Sequence, residues 1–517
     1  MKNVIKIIFL GIILASSLSA FSQKKTQIQL VRAQRLDYDE EVAIDVKRVI
    51  GDVVFEHDGA YLYCDSAWLY DNTNSVDAYG DVLIEVNDSV TITGGSLNYN
   101  GNTKIAIMKD SVVMKDRTTT LESDKITYNR NSEEAYYDDD GVVYDAENEL
   151  ISKIGIYNTI NKTAYFKKDV VLTNPRYELN CDTLIYDTRT EIAYFPSVTR
   201  GKSNTNYMYC EDGWYDTQKD ITFLRHNALV GNDKQRMSGD SIHYDQINDI
   251  GTAWNNVHMF DSVQNVILLG DYLYYNNLLG YAYATDSAQA QLIEQSDTLY
   301  LHADTLRLNF DTTQTAEMLF AFKQCFFFRE DLQGFADSLT YDFKDSIIYL
   351  HQNPVLWSEE NQLKADTITI FLKNEEFHMI KLDNLAFISN ELPFDRYNQI
   401  KGKNMIGYFE KNKLYKIDVS GNAESLYYIE ENDGSLIGVN KTESAVMTLY
   451  IEDNEFTDIL IEGAPKAVMK PWELIEEVEK TLKNFVSLAH LRPLTPLDIF
   501  LKSNKATRKN LVENNED

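Results

Sequence analysis

One carboxylate recurs along this chain at nearly constant spacing, and it is the first group that could do chemistry. Asp65, Asp124, Asp182, Asp240, Asp271, Asp304, Asp337 and Asp366 each follow a small residue, with degenerate copies at Gly95, Lys153, Glu211 and Lys403. Two carboxylates at a defined separation would make a glycosidase or lyase. A carboxylate in every copy of a repeat points instead to structure: an Asp at a strand start binds backbone or faces water, whereas a catalytic pair would be local. The tyrosines four residues further on form a second column. It reads as a sugar platform or as the wall of an apolar trough, and buried tyrosine ladders of this kind favour the wall.

The remaining reactive side chains are sparse. Cys64, Cys181 and Cys210 occupy the small-residue column, so they read as small buried residues, and Cys325 stands apart. Cys181 and Cys210 lie one repeat apart, which keeps a disulfide open in an oxidising compartment. The eight His are scattered, without HExxH or zinc spacing, so no metal or cofactor is expected. Asp138-Asp139-Asp140-Gly141 resembles part of a calcium loop, but Val142 and Val143 break the pattern, and a solvated turn is the better reading.

These residues are set in an internal repeat. The Asp-equivalent positions are 65, 95, 124, 153, 182, 211 and 240, giving steps of 30, 29, 29, 29, 29 and 29. Looser steps of 31, 33, 33, 29 and 37 continue to 403. Two after the Asp the residue is apolar: Leu97, Ile126, Leu184, Ile242, Leu273, Leu306, Leu339, Ile368. Four after, it is mostly Tyr: Tyr99, Tyr128, Tyr157, Tyr186, Tyr215, Tyr244, Tyr275, Tyr341. Positions two apart share one face of a strand. The next residue is Asn or Asp, which starts a turn by bonding its own backbone. A second strand follows, as in Ala78-Tyr79-Gly80-Asp81-Val82 and Ala193-Tyr194-Phe195. Each unit is therefore strand, turn, strand, turn. No single unit buries its apolar face, but stacked units do. Such a stack rises about 10 Å per unit if each unit adds two neighbouring strands, and about half that if each unit is one coil of a solenoid.

Length and charge agree. At about 150 residues per domain, 517 residues suggest three domains, but a repeat makes the length many copies of one unit. With 49 Lys+Arg against 80 Asp+Glu, the net charge is −31. That excludes a nucleic-acid binder and a basic membrane-surface binder. Residues 1–22 read as a signal peptide: Lys2 and Lys6, the apolar run Ile7 to Ala15, then Ala20-Phe21-Ser22. No cysteine follows the run, which argues against a lipid anchor. After Pro471, apolar residues at Leu474, Ile475, Val478, Leu482, Phe485, Val486 and Ala489 have helical spacing, so a helix capping the stack is expected over 473–489.

The order Gly51-Asp52-Val53-Val54-Phe55, Cys64-Asp65-Ser66-Ala67-Trp68-Leu69-Tyr70, Ala78-Tyr79-Gly80-Asp81-Val82 resembles the OstA-like family of lipopolysaccharide-transport proteins. The resemblance recurs over roughly 50–290, more loosely to about 470, and Arg492-Pro493 with Asp498-Ile499-Phe500 fits the end of its long members. It implies an all-β open jellyroll of facing sheets, also called a β-taco, carrying lipid acyl chains through the periplasm. It also implies partners joined by end-strand pairing, including other envelope transport proteins and further copies of this chain. The trough-lining candidates are then Leu97, Tyr99, Ile126, Tyr128, Leu184, Tyr186, Ile242, Tyr244, Leu273, Tyr275, Leu306, Leu339, Tyr341 and Ile368. The expected organisation is a signal peptide at 1–22, one jellyroll module at 23–289, a less regular one at 290–470, and a helix and tail at 471–517. The protein would not be an enzyme. A polysaccharide-acting β-solenoid enzyme and an adhesive scaffold are the rival readings.

Overall fold

The computed structural model describes residues 26–38, 46–86, 90–117, 119–293, 297–374, 376–431, 435–452 and 455–500. The expected signal peptide lies outside them. The described residues form 38 strands, paired antiparallel throughout the registers given below, and three single-turn 3-10 helices. Backbone contacts divide the chain into two compact units, Met1–Ser197 and Val198–Asp517.

In the first unit, long strands such as Val46–His57, Ala60–Tyr70, Ser75–Val86 and Val90–Asn100 pair each with the next. Alternate strands bend at the middle through a two-residue bulge in which both residues take left-handed φ: Gly51 and Asp52, Gly80 and Asp81, Asp110 and Ser111, Lys168 and Asp169. The ladder skips these pairs, shifting register between Ile50 and Val53 and between Lys109 and Val112. A bulge kinks a strand and sharpens its twist. Asn, Asp and Gly tolerate this φ best and supply most of the corners. The long strands therefore cross from one arm of the fold to the other, while short ones such as Glu134–Tyr137 and Gly141–Tyr144 stay on one arm. The arms close on one core that takes Val49, Ala67 and Leu69 from one side of the corner and Phe55, Leu62 and Ile84 from the other.

The second unit repeats the design. Left-handed corners recur at His226 and Asn227, Asn255 and Asn256, Asp286 and Ser287, Lys323 and Gln324, Asn384 and Leu385, Gly421 and Asn422. Its last strands are longest, up to Lys413–Glu430. Each 29-residue step adds two neighbouring strands to each arm, so the rise is about 10 Å per unit rather than half of it.

The turns follow the sequence. Oδ1 of Asn100 accepts from the amides of Asn102 and Thr103, that of Asp187 from Arg189 and Thr190, that of Asp216 from Gln218 and Lys219. The Asp column starts strands in some copies only: Asp304 and Asp366 stand directly before Thr305–Phe310 and Thr367–Lys373. Asp65 stands mid-strand within Ala60–Tyr70, facing water beside the Gly80 corner. Column residues brace the corners through their backbone: the amide of Asp271 donates to Asp286 O at 2.8 Å, that of Asp304 to Lys323 O at 3.2 Å. The residue before each column position lies inside the bend and must be small. A Cβ on Gly270 would sit 2.8 Å from Thr285 O.

The expected helix over 473–489 does not form. Trp472–Leu474, Glu477–Glu479 and Ala489–Leu491 are isolated 3-10 turns joined by irregular backbone. Leu482, with Ile475 and Phe485, packs on a sheet face instead, while Leu474, Val478 and Val486 stay exposed, and tertiary packing overrides the helical spacing.

Candidate functional site

The inward face of the bend is a buried apolar row built from the sequence columns. In the second unit, cross-strand partners connect Leu224, Ile242, Ala253, Leu273, Ala284, Leu306, Ala321, Leu339, Leu350, Ile368 and Leu382 into one row. All are buried, none more than 3 % exposed. In the first unit Val49, Ala67, Ala78, Leu97, Met108 and Ile126 make the corresponding row. Leu184 is equally buried and pairs with Phe166.

The tyrosine column runs beside this row. Tyr99 and Tyr128 are buried; Tyr186, Tyr244, Tyr275 and Tyr341 are half-buried. Small residues flank most of them on the neighbouring strands: Ala106 between Tyr99 and Tyr128, Ala164 and Ala193 beside Tyr186, Gly251 between Tyr244 and Tyr275. The alanine that recurs in the second strand of the repeat thus makes room for a ring, the large-against-small packing a dense layer requires.

The hydroxyls reach the lip of the trough, where the arms end in turns. Tyr244 Oη donates to Asp249, Tyr215 Oη to Asp220 Oδ1 at 2.6 Å, and Tyr157 Oη to Asp116 Oδ2 at 3.2 Å. Burial, with Asp116 alongside, pushes the Tyr157 phenol up to about 12. A second bridge between the arms of the first unit centres on Tyr99. Tyr99 Oη lies 2.7 Å from His57 Nδ1, and Arg130 donates to Tyr99 Oη and to the carbonyls of His57 and Asp58. Asp58 also pairs with Lys104 at 2.7 Å, which holds its carboxyl below the usual range. Tyr99 belongs to the tyrosine column, but His57, Asp58 and Arg130 lie outside the columns, and nothing in the sequence links them to it.

Two small clefts adjoin the apolar rows. One, of about 20 Å³, is lined by Phe55, Leu62, Ile84, Leu97, Tyr99 and Tyr128 and ends at Arg130. The other, also of about 20 Å³, in the second unit, lies between Leu332, Leu356 and Leu363 on one arm and Ile380, Phe409 and Leu414 on the other. Each has room for about one water.

The reactive groups do not converge. The Asp column stands one per repeat on the outside of the bend. Among the described residues no group of three or more His, Cys, Asp or Glu is placed to hold a metal ion. All four cysteines are buried and none is in a disulfide. Burial pushes the Cys64 and Cys210 thiols up to about 12. Among the described residues no helix is long and apolar enough to cross a membrane.

The family model described as "OstA-like protein" matches residues 25–182 and 178–283, and one described as "LptA/(LptD N-terminal domain) LPS transport protein" matches 292–376. Among solved structures, the chain is similar to LptH of Pseudomonas aeruginosa, described as the LptA-homologous periplasmic component of the lipopolysaccharide transport device. That match has 12 % identity and a TM-score of 0.21, covering 26 % of this chain and 94 % of LptH. No curated protein matches the sequence.

Proposed function

This chain belongs to the OstA-like protein family, and from that premise we propose that it is an exported, periplasmic lipopolysaccharide-transport protein whose trough shields lipid acyl chains. The observation that carries the proposal is the inward apolar row of each unit, with a small cleft beside it. An acyl chain gains from leaving water only where the lining is apolar and its polar groups are already partnered. The tyrosine hydroxyls, tied to side chains at the lip, meet that condition.

The candidates Leu97, Tyr99, Ile126 and Tyr128 line or adjoin the first cleft, and Leu339 and Ile368 lie on the row near the second. At a net charge of −31, anionic headgroups stay in solvent or are bridged by divalent cations. Partners are other envelope transport proteins, or further copies of this chain, added to the terminal strands Gln29–Arg32 and Lys466–Pro471. A module change near residue 290 accompanies the loosened spacing of the repeat. No catalytic step is assigned.

The test is photo-crosslinking in cells with benzoylphenylalanine at Leu97, Ile126 or Ile242, against the outward-facing Asn98 as control. Lipopolysaccharide adducts are expected from the three inward positions alone. Adducts at none of them, together with purified protein that refuses added lipopolysaccharide, would sink the proposal.

A further inference from the structure

Beyond Pro471 the chain leaves the strand ladder and crosses the outer face of the arm opposite the tyrosine lip. In cross-strand register on that face stand Gln333, Trp357, Gln362, Ser389, Gln399 and Leu426. An outer face normally meets water, yet each of these six is at most 8 % exposed. Residues 480–492 cover them, and the glutamines hold the covering segment by its backbone. The Leu488 amide donates to Gln362 Oε1 at 2.7 Å, and Gln362 Nε2 donates to Val486 O at 2.9 Å. The Leu482 amide donates to Gln399 Oε1 at 2.8 Å, and Gln399 Nε2 donates to Lys480 O at 3.3 Å. Arg492 Nε reaches Gln333 Oε1 at 2.8 Å. Leu482 is buried in a separate outer cluster with Phe387, Leu426 and Tyr428, and Phe485 lies against Tyr397.

A primary amide that both gives and takes a hydrogen bond reads a peptide group, whatever side chain follows it. Gln362 and Gln399, in one row, are therefore a peptide-reading surface, and Gln333, whose own amide donates to Arg329 O and Glu330 O, adds an acceptor for the Arg492 side chain. Trp357, between Gln333 and Gln362, adds an independent sign. Its indole Nε1 is buried and has no hydrogen-bond partner among the described residues. A buried donor without an acceptor disfavours the state that buries it. The covering segment thus fits the surface with one donor unmatched. Its own backbone is held by side chains rather than a ladder, which places it among the first parts to open.

We infer that this outer face is a binding groove for an extended, apolar peptide, and that residues 472–500 are its built-in occupant, a strap that separates from the sheet without unfolding it. The inference stands independently of lipid carriage.

The test uses the full chain with a protease site inserted between Pro471 and Trp472. After cutting, a fluorescent synthetic peptide of residues 472–500 is expected to exchange into the groove. The paired change Gln362→Leu and Gln399→Leu should weaken it about a hundredfold, about tenfold for each clasp. Trp357→Phe, which removes the unmatched N–H and keeps a ring, should not weaken it. Hydrogen exchange gives the second readout: cutting should release the Leu482 and Leu488 amides while the ladder of 316–430 stays protected. The inference is overturned if that ladder opens together with the strap. Failure of the peptide to enter the cut chain, or equal binding to the Gln362→Leu, Gln399→Leu chain, also overturns it.

Discussion

Asn256 donates from Nδ2 to both carboxylate oxygens of Asp240, at 3.1 and 3.2 Å, from the neighbouring strand. Asn256 is half of a left-handed corner, and Asp240 is the repeated carboxylate that faces it. The recurring acid is thus a brace for a bend. Asp240→Asn keeps an acceptor and should cost under about 0.5 kcal/mol. Asn256→Val forces a β-branched residue into left-handed φ and should cost about 1–3 kcal/mol. Urea midpoints of the two variants check the order.

The same logic is steric at Gly80. It takes φ of +79°, and a Cβ there would lie 2.8 Å from Asp65 Cβ. Gly80→Ala should lower stability by about 1–3 kcal/mol. Adding Asp65→Gly should recover the clash but not the φ penalty, so the double variant should melt between wild type and the single one. Equal melting of the single and double variants would count against the contact.

The inward row should not tolerate charge. Ile242 is fully buried between Leu224 and Ala253. Ile242→Asp should cost more than about 4 kcal/mol, through lost packing plus an unpaired buried carboxyl, whereas Ile242→Val should cost about 1 kcal/mol. Protease resistance after mild heating separates the two. An Ile242→Asp protein as resistant as wild type would place that face outside the core.

Two pH experiments follow from burial. With Cys64 and Cys210 raised to about 12, and Cys325 raised as well, these thiols stay protonated and covered at pH 8. Ellman's reagent should find almost none in the native protein and four after denaturation. Tyr137 and Tyr157 rise from 10.0 to about 12, mainly through burial. Above pH 10 the unfolded chain loses these protons while the folded chain keeps them, so stability falls as pH rises. The contribution is complete below pH 10 and lost by about pH 12. Denaturation midpoints across that window should decline, and Tyr157→Phe should flatten the decline.

The repeat, the asparagine turns, the small column and the inward pair Leu97 and Tyr99 were all readable, because each is a residue type forced by one local need at fixed spacing. The corners were not. Asn, Asp and Gly supply most of their pairs, but the same residues also make the turns, pairs such as Lys323-Gln324 hold none of them, and the motif Gly-Asp-Val reads as plain strand. The fate of residues 473–489 was also hidden. Leu482 and Phe485 have helical spacing, but their partners Phe387 and Leu426 lie far off in sequence, and Gln362 and Gln399 supply the hydrogen bonds a helix would have made for itself. The lip contact between His57 and Tyr99 joins the ends of two strands 42 residues apart and leaves no local trace.

The ladder has a mechanical consequence. In each unit the hydrogen bonds between antiparallel strands lie across the strands, along the direction in which repeats are added. Tension along that direction would load the outermost rung first, peeling strands one by one at low force. Tension along a single strand would shear many rungs together and meet far more resistance. Each unit is therefore soft to being drawn out lengthwise and stiff across its width, like a stack of folded sheets held edge to edge.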